Sequence, residues 1–248
     1  MAGTPTLLIF DVDGTLTHSA GLTRIAYEAT VKELYGVENS TQGIAASGRT
    51  DPDIFREILE RIGIPCTDLD GAFRAYSKVY IQHLEKLLFS SDEPRLHNGV
   101  RVLLDKLSAM PYIYLALGTG NIEQGAYLKL QRHGVARLFP VGGFGSDSSD
   151  RVELINIAYQ RAQRHYRIPF AKRDTWVIGD TPNDILAGRR LGANTIAVAT
   201  GVFSREELDG FEPTALFQDL EDWERFIAVV TDGLRSSRSA VGRREDTL

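Results

Sequence analysis

Leu7-Leu8-Ile9-Phe10-Asp11-Val12-Asp13-Gly14-Thr15 is the stretch on which the reading of this chain turns. Four apolar residues make a short buried strand, and the run stops at an acid. Strand side chains alternate, so Asp11 and Asp13 project the same way where the strand persists that far. Gly14 lets the chain leave the strand without a Cβ penalty. Two carboxylates at the carboxyl end of a parallel strand sit where open α/β sheets bind ligands. They repel one another, and a cation between them relieves the repulsion. Oxygen donors without sulfur suit a hard ion, Mg²⁺ above all. Asp-x-Asp-Gly is also good turn chemistry, and taken alone the two readings weigh the same.

Outward from this stretch, short apolar runs recur at Tyr112–Leu117, Thr175–Ile178 and Thr195–Ala199. Helical stripes lie between them. Val100, Leu103, Leu104 and Leu107 form one, and Val152, Ile155, Tyr159 and Ala162 another. Strands alternating with helices predict an α/β fold, a parallel sheet covered on both faces. One region breaks the alternation. Between Leu16 and about Pro94 there are helical patterns and no convincing strand. Phe55, Ile58, Leu59 and Ile62 share a face, with a start at Asp51-Pro52-Asp53 and a stop at Gly63. Leu69, Phe73, Tyr76 and Tyr80 begin another stripe. The spacing predicts a helical insertion over 16–95 in a core made of 1–15 and 96–231. Its tethers run roughly from Gly14 to Ala20 and from Ser90 to Gly99. The Arg- and Ser-rich segment 232–248 reads as a flexible tail, with a basic arm for an acidic partner as the alternative.

Composition narrows the classes. The chain has 248 residues, 43% hydrophobic and 25% charged, the balance of an ordinary globular protein rather than a disordered or fibrous one. Its formal net charge of −5 supplies no overall basic field to recruit nucleic acid or an anionic membrane. Cys66 stands alone, so neither an internal disulfide nor a cysteine-rich zinc site is available, which fits a reducing compartment. The apolar runs fall far short of the ~20 residues of a membrane span. No basic residue precedes Arg24, and the first apolar run ends at Asp11, so no signal peptide is read and a cytoplasmic location is expected.

A second acidic strand exit reads Gly179-Asp180-Thr181-Pro182-Asn183-Asp184. Asp180 ends the run, Pro182 suits a first helical turn, and Asp184 can point back to the same edge. Helix capping by Asp180 or Thr181 is the plainer reading. Two acidic exits converging on one edge, however, need a positive charge to offset them. A third exit, Gly118-Thr119-Gly120-Asn121, offers a hydroxyl, a glycine and exposed helix-start amides, the parts of an anion cradle. Asn121 serves there as a simple N-cap in the alternative. Arg151 opens a helix that flanks the same edge, where a solvated surface residue is the competing reading.

These four elements, in this order, resemble the haloacid dehalogenase (HAD) superfamily of phosphohydrolases. Its DxDGT motif is matched by Asp11, Asp13, Gly14 and Thr15, and its Thr or Ser after a hydrophobic strand by Thr119. Its Lys or Arg is matched by Arg151, and its GDxxxD by Asp180 and Asp184. The resemblance spans about Leu7 to Phe226. It implies a Rossmann-like parallel core with the Leu7 strand central, a further strand from about Phe139, and an all-helical cap inserted after the first motif. It implies Mg²⁺-dependent hydrolysis of a small phosphorylated metabolite, with no nucleic acid or membrane partner; monomer and dimer stay open. By the same resemblance Asp11 is the nucleophile that becomes an aspartyl-phosphate, and Asp13 the general acid and base. Mg²⁺ is held by Asp11, Asp13 through its backbone carbonyl, Asp180 and Asp184, and the phosphoryl oxygens meet Thr119, Gly120, Arg151 and Thr15. Asp13 separates phosphatases from the family's dehalogenases, whose halide leaves without a proton. A phosphomutase shares the same core residues and stands as the alternative, beside a non-enzymatic phosphate-binding or regulatory protein. In the insertion, Gly48-Arg49-Thr50-Asp51 looks like a substrate-specificity loop with Arg49 as an anion-binding fork. Lys32 is the candidate for the family's Schiff-base lysine, with a solvated surface role weighed above it. His18, just past the first motif, is a candidate to face the cleft, with a simply exposed histidine weighed above it.

Overall fold

The computed structural model describes residues 3–231; the Arg- and Ser-rich tail lies outside the described residues. β1 (Thr6–Phe10) is buried at every position, as expected of a strand covered on both faces. It runs parallel to β4 (Ile113–Thr119) on one side and to β6 (Thr175–Gly179) on the other. β5 (Gly142–Phe144) lies beyond β4, while β7 (Asn194–Val198) and β8 (Ala215–Phe217) extend past β6. The six-stranded order is β5-β4-β1-β6-β7-β8. This is the α/β, Rossmann-like class the sequence predicts.

Alternation along β1 builds two core layers. Leu8 and Phe10 pack with Val100, Leu103 and Leu107 of α4 (Val100–Ser108), with Ala126 and Leu130 of α5 (Glu123–Gln131), and with Phe226 and Val230 in the helical residues 223–231. Leu7 and Ile9 pack with Leu154, Ile155 and Ala158 of α6 (Arg151–Tyr166) and with Ala187 and Leu191 of α7 (Pro182–Leu191). Register then sets the edge. Phe10 pairs with Leu117 and with Ile178, so the exits of β1, β4 and β6 finish within two residues of one level.

The region between β1 and β4 carries its own apolar cluster. α1 (Leu22–Tyr35), α2 (Asp51–Arg61) and α3 (Leu69–Ser90) meet through Val31, Phe55, Ile58, Tyr76, Tyr80 and Leu84. Ile122, at the start of α5, joins the same cluster. α2 begins where its sequence signals place it, with the Thr50 side chain accepting from the Asp53 amide. Among the described residues, no helix is long and apolar enough to cross a membrane.

Three expectations are corrected. The strand placed near Phe139 begins instead at Gly142, after a single 3₁₀ turn over Ala136–Leu138. Pro140 lacks an amide donor for the ladder, and Phe139 is committed to the core. β8 is only three residues long, too short to display a period. The helical region is also not strand-free at its ends. β2 (Thr17–His18) pairs antiparallel with β3 (Arg95–Leu96), Thr17 opposite Leu96 and His18 opposite Arg95.

Candidate active site

Asp11 follows β1, Asp180 follows β6, and Asp184 stands in the first turn of α7. One carboxylate oxygen from each lies within 4.8 Å of the other two, and all three residues are buried. Local sequence explains the arrangement. Thr181 and Asp184 form a capping box that starts α7: Asp184 Oδ2 accepts from the Thr181 amide at 3.2 Å and the Thr181 hydroxyl at 2.7 Å. Asp184 Oδ1 is thereby left for Arg151, whose Nε and Nη2 donate at 3.1 and 2.5 Å. Arg151 Nη2 also lies 2.9 Å from Asp11 Oδ1. Asp180 Oδ1 accepts from the Thr15 hydroxyl at 3.0 Å.

Two glycines make room for Asp180. A Cβ on Gly14, whose φ is +80°, would stand 2.3 Å from Asp180 Oδ2, and one on Gly201 only 1.8 Å from it.

Three buried carboxylates and one guanidinium leave the cluster with excess negative charge. The Asp11 carboxyl is raised to about 6 by burial above all, with Arg151 pulling it down and Asp184 and Asp13 adding to the rise. Asp180 is raised well above the usual carboxylate range by burial, then by Asp11 and Asp184. Burial also works against the Arg151 charge, but Asp184 and Asp11 beside it hold the guanidinium protonated more firmly than usual. The donors are hard oxygens, crowded and under-neutralised. They fit a divalent cation such as Mg²⁺ and offer nothing to a soft one.

Asp13 faces a different group. Its Oδ2 accepts from Lys129 Nζ at 2.5 Å and from Asn121 Nδ2 at 2.8 Å. Lys129 also donates to Asn121 Oδ1 at 2.6 Å, and Asn121 Nδ2 reaches Thr119 Oγ1 at 2.8 Å. Asp13 Oδ1 is buried and has no hydrogen-bond partner.

These groups border a cavity of about 560 Å³ between the sheet edge and the helical insertion. Asp11, Asp13, Thr119, Gly120, Arg151 and Asp180 line the sheet side, and Thr23, Arg24, Tyr27 and Ile44 the helical side. The two sides are fastened together. The Asp51 amide donates to the Gly120 carbonyl at 2.8 Å, and Asp51 Oδ2 accepts from the Ile122 amide at 2.8 Å. The Tyr27 hydroxyl donates to Asp51 Oδ1. Asn183 Nδ2 donates to the Gly48 carbonyl at 2.8 Å. Burial raises the Asp51 carboxyl, against the pull of Lys129, the Tyr27 hydroxyl and the Ile122 amide.

Most residues singled out in the sequence meet at this cavity, with three differences. Thr15 is fully buried with its hydroxyl turned to Asp180, so it orients a carboxylate and does not line the cavity. Arg49 borders the cavity, but its guanidinium is held by Glu57 and by the carbonyls of Ala45 and Asp53 at 3.2 and 3.1 Å. Its backbone is what approaches the sheet edge: a Cβ on Gly120 would stand 2.1 Å from the Arg49 carbonyl oxygen. Lys32 pairs with Glu38 at 2.7 Å on the surface, away from the cavity. His18 does line the cavity. Sequence reasoning missed Lys129 and Gly201, and it named Asp51 only in the Gly48–Asp51 loop and as a helix start, without its hold on Ile122. For Lys129 no local signal was available, because its partner Asp13 lies 116 positions away.

Comparisons with known proteins show what the chain is similar to. A family model described as HAD-hydrolase-like matches residues 155–223, which include Asp180 and Asp184. The chain is 25% identical over 240 residues to the pyrophosphatase PpaX of Oceanobacillus iheyensis, covering 91% of this chain and 96% of that protein. It shares its fold with a predicted phosphoglycolate phosphatase of Haemophilus somnus, at TM-score 0.67 and 18% identity, covering 90% of this chain and 98% of the other. A protein assigned as a β-phosphoglucomutase in Thermotoga maritima superposes at TM-score 0.58 and 20% identity, covering 90% and 98%. Over residues 155–223 the chain is thus similar to HAD-like hydrolases, along most of its length to a pyrophosphatase, and in fold to these solved structures.

Proposed function

We propose that the chain is a Mg²⁺-dependent phosphomonoester hydrolase for small phosphorylated metabolites, working through a phosphoryl group carried on Asp11. The observation that carries this reading is the buried Asp11, Asp180 and Asp184 cluster with Arg151, set beside Asp13 on one cavity. Asp11, Asp180, Asp184 and the Asp13 carbonyl would hold Mg²⁺, which would supply charge neutralisation to the phosphoryl group and favour the anionic form of Asp11. The Asp11 carboxylate attacks phosphorus. Asp13 gives its proton to the departing oxygen as the P–O bond breaks. Water then attacks the aspartyl-phosphate, Asp13 takes its proton, and phosphate leaves. On this reading Arg151, the Thr119 hydroxyl and the Gly120 amide donate to the phosphoryl oxygens. The helical insertion covers the cavity and excludes bulk water. By likeness to the PpaX relatives, inorganic pyrophosphate joins phosphoglycolate, sugar phosphates and nucleotides as a candidate substrate.

The test is phosphate release from that panel and from 4-nitrophenyl phosphate, with Mg²⁺ and with EDTA. Metal-dependent release, lost in Asp11→Asn, and acid-stable phosphoprotein trapped in Asp13→Ala are expected. Isomerisation of a sugar phosphate without net phosphate release would make the protein a mutase. No turnover of any ester by pure, metal-loaded protein would refute the enzyme reading.

A further inference from the structure

Lys129 has a place in this site that its sequence context does not announce. It lies on α5, and its side chain is 1% exposed. A lysine is almost never buried so completely unless its charge is paired. The ammonium meets Asp13 Oδ2 at 2.5 Å and Asn121 Oδ1 at 2.6 Å, and its charge also reaches Asp51. Asn121 completes the grip by donating to the same Asp13 oxygen. Two donors therefore converge on Oδ2, and none reaches Oδ1. Packing α5 against the sheet does not require an ammonium at this spot; Ala126 and Leu130 already do that work.

We propose that Lys129 is the positioning residue for Asp13: by pinning Oδ2 it fixes the orientation in which the Asp13 carboxyl exchanges a proton with the reacting ester. The proposal rests on the acid/base reading of Asp13. In the first half-reaction the proton on the Asp13 carboxyl passes to the departing oxygen as the P–O bond breaks, and Asp13 becomes a carboxylate. In the second, that carboxylate takes a proton from the water that attacks the aspartyl-phosphate. Lys129 stays protonated throughout and neither gives nor takes a proton. Its partner Asn121 also holds Thr119, so the acid/base group and the phosphoryl donor share one support. Asp51 links the same ammonium to the helical insertion.

The test compares two probes of the same shape, phenyl phosphate and 4-nitrophenyl phosphate. Phenol is the more basic leaving group and needs the proton more. General acid/base assistance is worth ~10²–10⁴-fold, and loss of its positioning should remove part of that. Lys129→Met is expected to lower kcat for phenyl phosphate about 30-fold and for 4-nitrophenyl phosphate less than about 5-fold, with KM within about 3-fold. In the double variant with Asp13→Ala, Lys129→Met should cost nothing further, because it acts through Asp13. Equal losses on the two probes, or losses that multiply with those of Asp13→Ala, would overturn the proposal. If Asp13→Ala itself shows no leaving-group dependence, the acid/base reading falls and the proposal with it. Selectivity in Asp13→Ala but not in Lys129→Met sinks only the proposal. Lys129→Gln, which keeps a hydrogen-bond donor, replaces Met if that variant does not fold; failure of both to fold would make Lys129 structural and overturn the proposal.

Discussion

Replacing Asp11 should stabilise the metal-free protein. Asp11 is buried, and its carboxyl is raised from 3.8 to about 6. Ionising it in the folded state therefore costs more than in the unfolded chain. A shift of about two units corresponds to about 3 kcal/mol. The sign follows from proton binding. Below pH ~4 the carboxyl is protonated folded and unfolded, and no penalty exists. Between ~4 and ~6 the folded state holds the proton more tightly, so stability falls as pH rises. Above ~6 the full penalty is present. Asn has the size of Asp and mimics its protonated form. Arg151 keeps Asp184 as a partner, so no buried cation is orphaned. In EDTA at pH 7.5, Asp11→Asn should melt about 6–12 °C above the parent, taking ~2–4 °C per kcal/mol for a chain of this size. The gap should close as pH falls toward 4. Mg²⁺ should narrow it as well, because the parent gains more from the ion than the variant does. Thermal melts by circular dichroism over pH 4–8, with EDTA and with Mg²⁺, measure all three. A variant that melts below the parent at pH 7.5 in EDTA, or a gap independent of pH, would refute the charge argument.

Gly201→Ala should weaken Mg²⁺ binding and cut turnover at least 10-fold, because the new methyl would occupy the place of Asp180 Oδ2; an unchanged Mg²⁺ titration of activity would count against it. Asp51→Ala should cost about 1–3 kcal/mol by leaving the Ile122 amide without its acceptor, and should raise KM by loosening the helical insertion over the cavity. Asp51→Asn, which keeps an acceptor oxygen, should recover most of both, as melts and steady-state kinetics will show.

Much of the sheet edge was legible because buried parallel strands are written as apolar runs. Leu7–Phe10 and Thr175–Gly179 each end in an acid, and parallel register turns two sequence positions 169 residues apart into neighbours. The parts that escaped lack a local signature. Lys129 looks like any polar residue on a helix until Asp13, 116 positions away, folds against it. Arg49 reads as a free anion fork because Glu57 becomes its partner only once α2 has formed. Asp51 reads as an ordinary first-turn acid of a helix, and only the docked tertiary structure sets it over the Ile122 amide. β2, β3 and β8 are two or three residues long, below the length at which alternation can be seen.

The antiparallel pairing of Thr17–His18 with Arg95–Leu96 bears on how the helical insertion can move and how it can be exchanged. Paired strands lie about 5 Å apart, so the chain leaves the core and returns to it at nearly the same point. Two independent linkers would let the helices swing and swivel separately in several directions. A zipped pair behaves as one strap, bending and twisting as a unit, which reduces opening to essentially a single mode. It also makes the insertion a cassette. The chain itself joins the core at only two adjacent points, so a helical bundle of different length that keeps the Asp51 and Gly48 contacts can be spliced between them without altering the register of β1, β4 and β6. Chemistry at the sheet edge and selection above it are thereby separable in the chain: one can be rewritten while the other is kept.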